Sequence, residues 1–197
     1  KDNRAQKPKI EVKQPKAEAL TVTDEVKEDF LKGNQLFEEG KYGEAIGVYE
    51  ALLVKFPDAY VIHLNIGNSY FQLEKYDEAE QAFQKVLEKE PQNVHALLGI
   101  GNCYVNRGDS EKALEWYNKI ELEKIDDPTV LYNVGTILYD HGKSAEALNY
   151  YKKAVEIQED FLDARYQLAM VYLGLGNNPE ALKEFENYLK HDADSER

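Results

Sequence analysis

One spacing constrains this chain more than any other feature. Gly33, Gly67, Gly101 and Gly135, followed by Ala169, recur every 34 residues, and Ala45, Ala79, Ala113, Ala147 and Ala181 keep the same step twelve residues further on. With 12 glycines in 197 residues, three more falling in register after the first is a chance of roughly 2 in 10,000. The period is therefore a property of the fold, and it is read before local structure.

Large side chains keep the same beat. Tyr49, Phe83, Tyr117, Tyr151 and Phe185 form one column, and Leu36, Tyr70, Tyr104, Leu138 and Tyr172 another. Around Gly33 the apolar residues Phe30, Leu36 and Phe37 fall at the steps of one helical face, and Ala45, Tyr49 and Leu52 repeat those steps beyond a break, so each period holds two short helices, A and B. Gly40, Gly108, Gly142 and Gly176 are placed to end helix A in a left-handed conformation, with Glu74 the exception in that column. Pro57 and Pro91 stop helix B. A small residue where the two helices cross lets the backbones approach while the helix B aromatic fills the gap. No such pair can bury its apolar stripe alone, so pairs must stack, and the fold class is all-α.

A 34-residue helix-turn-helix unit with Leu-Gly, Tyr, Ala, Phe/Tyr and Pro at these offsets resembles the tetratricopeptide repeat (TPR) family. The resemblance covers five contiguous units, 26–59, 60–93, 94–127, 128–161 and 162–195. It implies a right-handed helical solenoid that holds other proteins or peptides and is not an enzyme. Departures from the pattern are local. Asp29 and Lys32 stand where the family has large apolar residues, as suits an end helix with one wet face. Ile125 and Glu159 replace the terminal Pro; after Ile125, Asp127-Pro128 supplies an N-cap and a first-turn proline, and Asn178-Pro179 is read the same way for the last helix B. No polar capping helix follows residue 195, so Tyr188 and Leu189 are expected half exposed, because the native chain continues or because that end is an association surface.

Residues 1–22 differ in kind and are read as a basic extended tail or linker, with a strand remnant around Ile10–Lys13 as the other reading; the repeat domain then spans 23–197, its first helix capped by Thr23. The start, Lys1-Asp2-Asn3-Arg4, leads us to expect residues upstream, and the chain carries no segment that assigns a compartment. The formal net charge is -13, divided as +4 over residues 1–16 and -17 over the rest. An acidic body repels phosphate backbones and anionic lipid, which argues against nucleic-acid or membrane-surface binding. A basic or neutral partner is favoured, although acidity also serves solubility alone. No apolar run approaches the roughly 20 residues of a membrane span, so a soluble protein is expected. A single cysteine, Cys103, leaves stability to packing.

Nothing in the sequence calls for a cofactor, a metal or a catalytic centre. His63, His95, His141 and His191 occupy four different places in the repeat and cannot form one column. Gly99-Ile100-Gly101 lacks the third glycine of a dinucleotide loop and lies within a helix. Cys103 reads as core, and Trp116 as outer-surface packing.

The resemblance places helices A on the inner, concave wall and implies contact with a bound segment from named columns. One, at repeat position 5, reads Phe30, Leu64, Leu98, Tyr132 and Tyr166; another, at position 12, reads Phe37, Phe71, Val105, Tyr139 and Leu173. Amides run between them: Asn34, Asn68 and Asn102 at position 9, Asn65, Asn133 and Gln167 at position 6. An amide both donates and accepts, so such a column can pair with an extended backbone whatever its sequence; the alternative is that these residues only pack and solvate the wall. The carboxylate clamp of chaperone-tail receptors is not reproduced. Asn34 and Asn65 match it, but Phe30, His95 and Gly99 stand where it needs cations, so a C-terminal carboxylate tail is disfavoured. Two functions remain open: a binding module that takes a peptide or protein segment on the concave wall, or a self-assembly element in which the basic tail or the uncapped last helix makes a homo-oligomer.

Overall fold

The computed structural model describes residues 24–195, with side chains from 27 to 190. Among the described residues there are ten α-helices and no strand: α1 Asp24–Glu38, α2 Tyr42–Lys55, α3 Tyr60–Gln72, α4 Tyr76–Lys89, α5 Val94–Arg107, α6 Ser110–Tyr117, α7 Pro128–Asp140, α8 Ser144–Ile157, α9 Leu162–Gly174 and α10 Asn178–Ser195. Odd-numbered helices are the A members and even-numbered ones the B members. They form two compact units, α1–α6 up to Ile120 and α7–α10 from Glu121. The expected Thr23 cap and the segment 1–22 lie outside the described residues.

Helix ends obey the local chemistry. Gly40, Gly108, Gly142 and Gly176 have φ of 75, 82, 73 and 80°. Glu74, in the same column, adopts φ 58°, so the left-handed turn is kept even where a side chain makes it costly. Asp127 caps α7 by accepting from Thr129 N at 2.8 Å and Val130 N at 3.3 Å, with Pro128 in the first turn. At α10 the expected cap moves by one residue. Asn178 is already helical, and the Asn177 carbonyl accepts the first helical bond, from Ala181 N at 3.0 Å.

Within α1–α6 the core runs through Phe30, Tyr49, Leu52 and Ile62, then through Leu64, Phe83, Val86 and Ile100, each at most 2% exposed. Within α7–α10, Leu131, Leu138, Tyr151, Ala154, Ala164 and Ala169 are equally buried. The glycine column has a sharper purpose than backbone approach: the helix B ring lies on the glycine itself. A Cβ built on Gly33 would sit 2.5 Å from Tyr49, and on Gly67 2.6 Å from Phe83.

The third helix B departs from the repeat. α6 has 8 residues where α2, α4 and α8 have 14, and a 3-10 turn at Leu122–Lys124 comes after it. The column holding Leu53, Leu87 and Val155 has Glu121 here, while Leu122 supplies the apolar side chain one residue later. A continuous helix cannot track a stripe that slips by one residue, because each step rotates the side chain about 100°. The chain unwinds instead, Ile125 is buried, and the Leu122 carbonyl accepts from Lys153 Nζ on α8.

Candidate protein-binding face

The polar column of helix A is tied to the aromatic column of helix B. The Tyr49 hydroxyl donates to Asn34 Oδ1 at 2.7 Å, Tyr117 to Asn102 Oδ1 at 2.5 Å, and Tyr151 to Thr136 Oγ1 at 3.2 Å. Where the ring is Phe185, with no hydroxyl to place, the helix A residue is Met170. The second pair breaks the correspondence: Asn68 is 3% exposed, but its ring is Phe83, and no side chain among the described residues hydrogen-bonds to it. Asn34 and Asn102 therefore commit acceptor capacity to the core, since a buried hydroxyl needs a partner. Burial pushes the Tyr49, Tyr117 and Tyr151 hydroxyls to higher pKa, so they stay protonated donors.

Asn65, fully buried, donates through Nδ2 to Asn34 Oδ1 at 3.0 Å, while its own Oδ1 finds no donor among the described residues. Asn133, in the same column, is 7% exposed and its Nδ2 finds no acceptor among the described residues. The amides thus form no exposed ladder: Asn65, Asn68, Asn102 and Asn133 are all buried, and Asn34 and Gln167 half-buried.

The aromatic rows differ between the units. Phe37 packs edge-on against Tyr42 at 5.1 Å and Phe71 against Tyr76 at 5.5 Å. One period and two periods beyond Tyr76, the matching residues are Ser110 and Ser144, and then Asn178. Without a ring beside them, Tyr139 is 38% and Leu173 49% exposed. Tyr132 lies between Tyr151 at 5.9 Å and Phe161 at 5.3 Å. Burial raises its hydroxyl pKa and the Asp163 carboxylate adds to that; hydrogen bonding to Thr136 and Gln167 opposes it, and Asp140 raises it further. Tyr166 packs on Phe185 and Tyr188 at 6.0 and 5.9 Å yet stays 44% exposed.

The sequence-predicted residues therefore divide. Asn34, Phe37, Asn65, Asn68, Phe71 and Asn102 belong to α1, α3 and α5, where they are bonded, buried or ring-paired, and Tyr132, Asn133, Tyr139, Tyr166 and Gln167 belong to α7 and α9, where two rings stay open. Sequence reasoning missed the hydroxyl partners Tyr49, Tyr117 and Tyr151 and the role of Tyr42 and Tyr76 as covers. The signal was in the columns: an acceptor accompanies each hydroxyl at Asn34, Asn102 and Thr136, and a tyrosine stands five residues beyond Phe37 and Phe71 but not beyond Tyr139. Elsewhere, Cys103 is fully buried with its thiol pushed by burial up to about 12, which leaves little thiolate for chemistry at neutral pH. Trp116 is half-buried against the core with Lys119 Nζ 3.3 Å from its ring centroid. No helix among the described residues is long and apolar enough to cross a membrane.

Comparison with known proteins agrees with the helix-pair geometry. Two family models, each described as tetratricopeptide repeat, match residues 64–128 and residues 36–84 with 138–197. Among curated proteins no sequence matches the chain. Among solved structures, MamA is 20% identical with a TM-score of 0.69, over 83% of this chain and 95% of that one. A MamA RS-1 double mutant is 16% identical with a TM-score of 0.72, over 88% and 97% of the two chains. YrrB, described as a TPR protein with an unusual peptide-binding site, is 22% identical with a TM-score of 0.65, over 84% and 86%. With matched models spanning more than half its length, the chain belongs to the tetratricopeptide repeat family, whose members are typically non-catalytic scaffolds for binding proteins or peptides.

Proposed function

We propose that this chain is a binding module, not a catalyst, and that its helix A faces take an extended segment of another protein. The observation that carries the reading is the pair of open rings, Tyr139 and Tyr166, at 38% and 44% exposure on α7 and α9. Large rings left open on a face whose neighbours are packed are the form of an anchor site, because a ring loses little conformational freedom when covered. YrrB, a structural neighbour, is described as having a peptide-binding site, which lends the fold-level analogy.

The test is selection of random displayed peptides on the intact chain, then fluorescence anisotropy of the enriched peptide. Tyr139→Ala and Tyr166→Ala should each weaken it about ten-fold, the size of a moderate anchor residue, with unchanged thermal unfolding. Affinity equal to that of the unmodified chain in both variants would contradict the reading.

A second reading rests on α10. Leu182 and Leu189, seven residues apart and so on one helical face, are 60% and 63% exposed. That stripe suits self-association. Sedimentation equilibrium decides it: a monomer at all concentrations removes it, and a dimer lost in Leu182→Lys/Leu189→Lys supports it.

A further inference from the structure

The charge of the α7 and α9 face is as one-sided as its rings are open. Across both helices the charged side chains are Asp140, Asp163 and Arg165. Arg165 is not available to a partner: it is 6% exposed, with Nη1 donating to Glu184 Oε2 at 2.6 Å and Nη2 to the Glu159 carbonyl at 2.7 Å. Asp140 and Asp163 are exposed and form no ion pair among the described residues. Both raise the pKa of the Tyr132 hydroxyl, which stands one period before Tyr166 and seven residues before Tyr139.

Resting on the reading of helix A faces as segment-binding, we infer that the α7–α9 face selects an extended segment carrying a lysine or arginine. A cation of the segment lies against an open ring with a carboxylate close in sequence, Tyr139 next to Asp140 at the end of α7 or Tyr166 three residues after Asp163 near the start of α9. An exposed tyrosine ring attracts a cation through its negative face, and two unpaired carboxylates add Coulomb attraction that a neutral or acidic segment forgoes. The faces of α3 and α5 offer no such pairing. α3 carries no Asp, Glu, Lys or Arg, and α5 carries only Arg107, already engaged by Asp77 and Glu80.

The experiment uses the intact chain and three fluorescein-labelled decapeptides: alternating Ala-Lys, Ala-Gln and Ala-Glu. At low salt the Ala-Lys peptide should bind about five-fold or more tightly than Ala-Gln, and Ala-Glu should bind least. Asp140→Asn/Asp163→Asn should erase that difference, while Glu111→Gln/Glu115→Gln on α6 should leave it intact. Equal binding of Ala-Lys and Ala-Gln, lost in Tyr139→Ala/Tyr166→Ala, would overturn the cation preference and leave segment binding standing. A lysine preference removed equally by the α6 variant would also overturn it, as general attraction to an acidic surface. Binding of none of the three at about 1 mM would reject both.

Discussion

The two units use the same repeat to opposite ends. In α1–α6 the helix A rings Phe37 and Phe71 have Tyr42 and Tyr76 beside them, and the wall amides are bonded or buried. In α7–α10 the cover is Ser144 or Asn178, and Tyr139, Tyr166 and Leu173 stay open. One column thus decides whether the ring or leucine near the end of helix A, Phe37, Phe71, Tyr139 or Leu173, is covered by its own chain or left open. The backbone alone does not make a binding wall; the residue chosen one helix away does.

The largest test of this contrast concerns charge. Arg165 and Glu184 in the second unit have side chains 7% and 15% exposed, whereas Arg107 in the first unit is 28% exposed and one of its partners, Asp77, 77%. Removing Arg165 strands a carboxylate with little water around it, so Arg165→Ala should lower stability in urea unfolding by about 3 kcal/mol. Arg107→Ala also uncovers a poorly hydrated carboxylate, Glu80 with its side chain 14% exposed, but Glu80 keeps the Tyr104 hydroxyl and Gln84 Nε2 as donors at 2.9 and 3.2 Å, so the loss should be smaller, about 1.5 kcal/mol. Equal losses would mean that the two pairs are not differently seated.

Next in size is the glycine column. A Cβ on Gly67 would meet the Phe83 ring at 2.6 to 3.0 Å, and on Gly135 the Tyr151 ring at 2.9 to 3.2 Å. Gly67→Ala should therefore cost about 2 kcal/mol of overpacking, against which alanine's helix preference returns only about 1 kcal/mol. In Gly135→Ala the two nearly cancel. Thermal or urea unfolding of the pair measures the difference, and a larger loss at Gly135 would contradict the ring placement.

The hydroxyl pairs come third. Tyr117→Phe leaves Asn102 buried without its donor and should cost about 1 kcal/mol. Phe83→Tyr does the reverse, offering Asn68 the donor found in the pairs on either side, and should gain up to about 1 kcal/mol. The smallest effect on stability is the most pointed for function. Ser144→Tyr gives Tyr139 the cover that Phe37 and Phe71 have; it should add about 0.5 kcal/mol and weaken binding of the selected peptide.

Most of the helix-pair fold could be read from the columns, because a backbone crossing close to a ring tolerates only Gly or Ala and leaves that mark every 34 residues. The shortened α6 could not be read from that period. It depends on a one-residue slip, Glu121 for an apolar residue and Leu122 after it, which is visible only when the buried stripe is traced through the helix. The candidate face was legible in part. Residue type placed Asn68, Asn102 and Asn133 on the wall, but whether an amide points to solvent or serves the core depends on which ring lies across from it. Tyr139 and Tyr166 were legible as aromatics, and their openness was not, since it depends on Ser144 for one and on the limited reach of Phe185 and Tyr188 for the other.

The most direct measurement is backbone amide chemical-shift mapping of the intact chain with the peptide obtained by selection. Perturbations should concentrate at residues 129–140 and 162–174, the two helices whose rings are uncovered, with little change at 30–37 and 64–72, where the rings are paired. Perturbations centred on Phe37 and Phe71 with α7 and α9 silent would contradict the division of the molecule into a finished face and an open one.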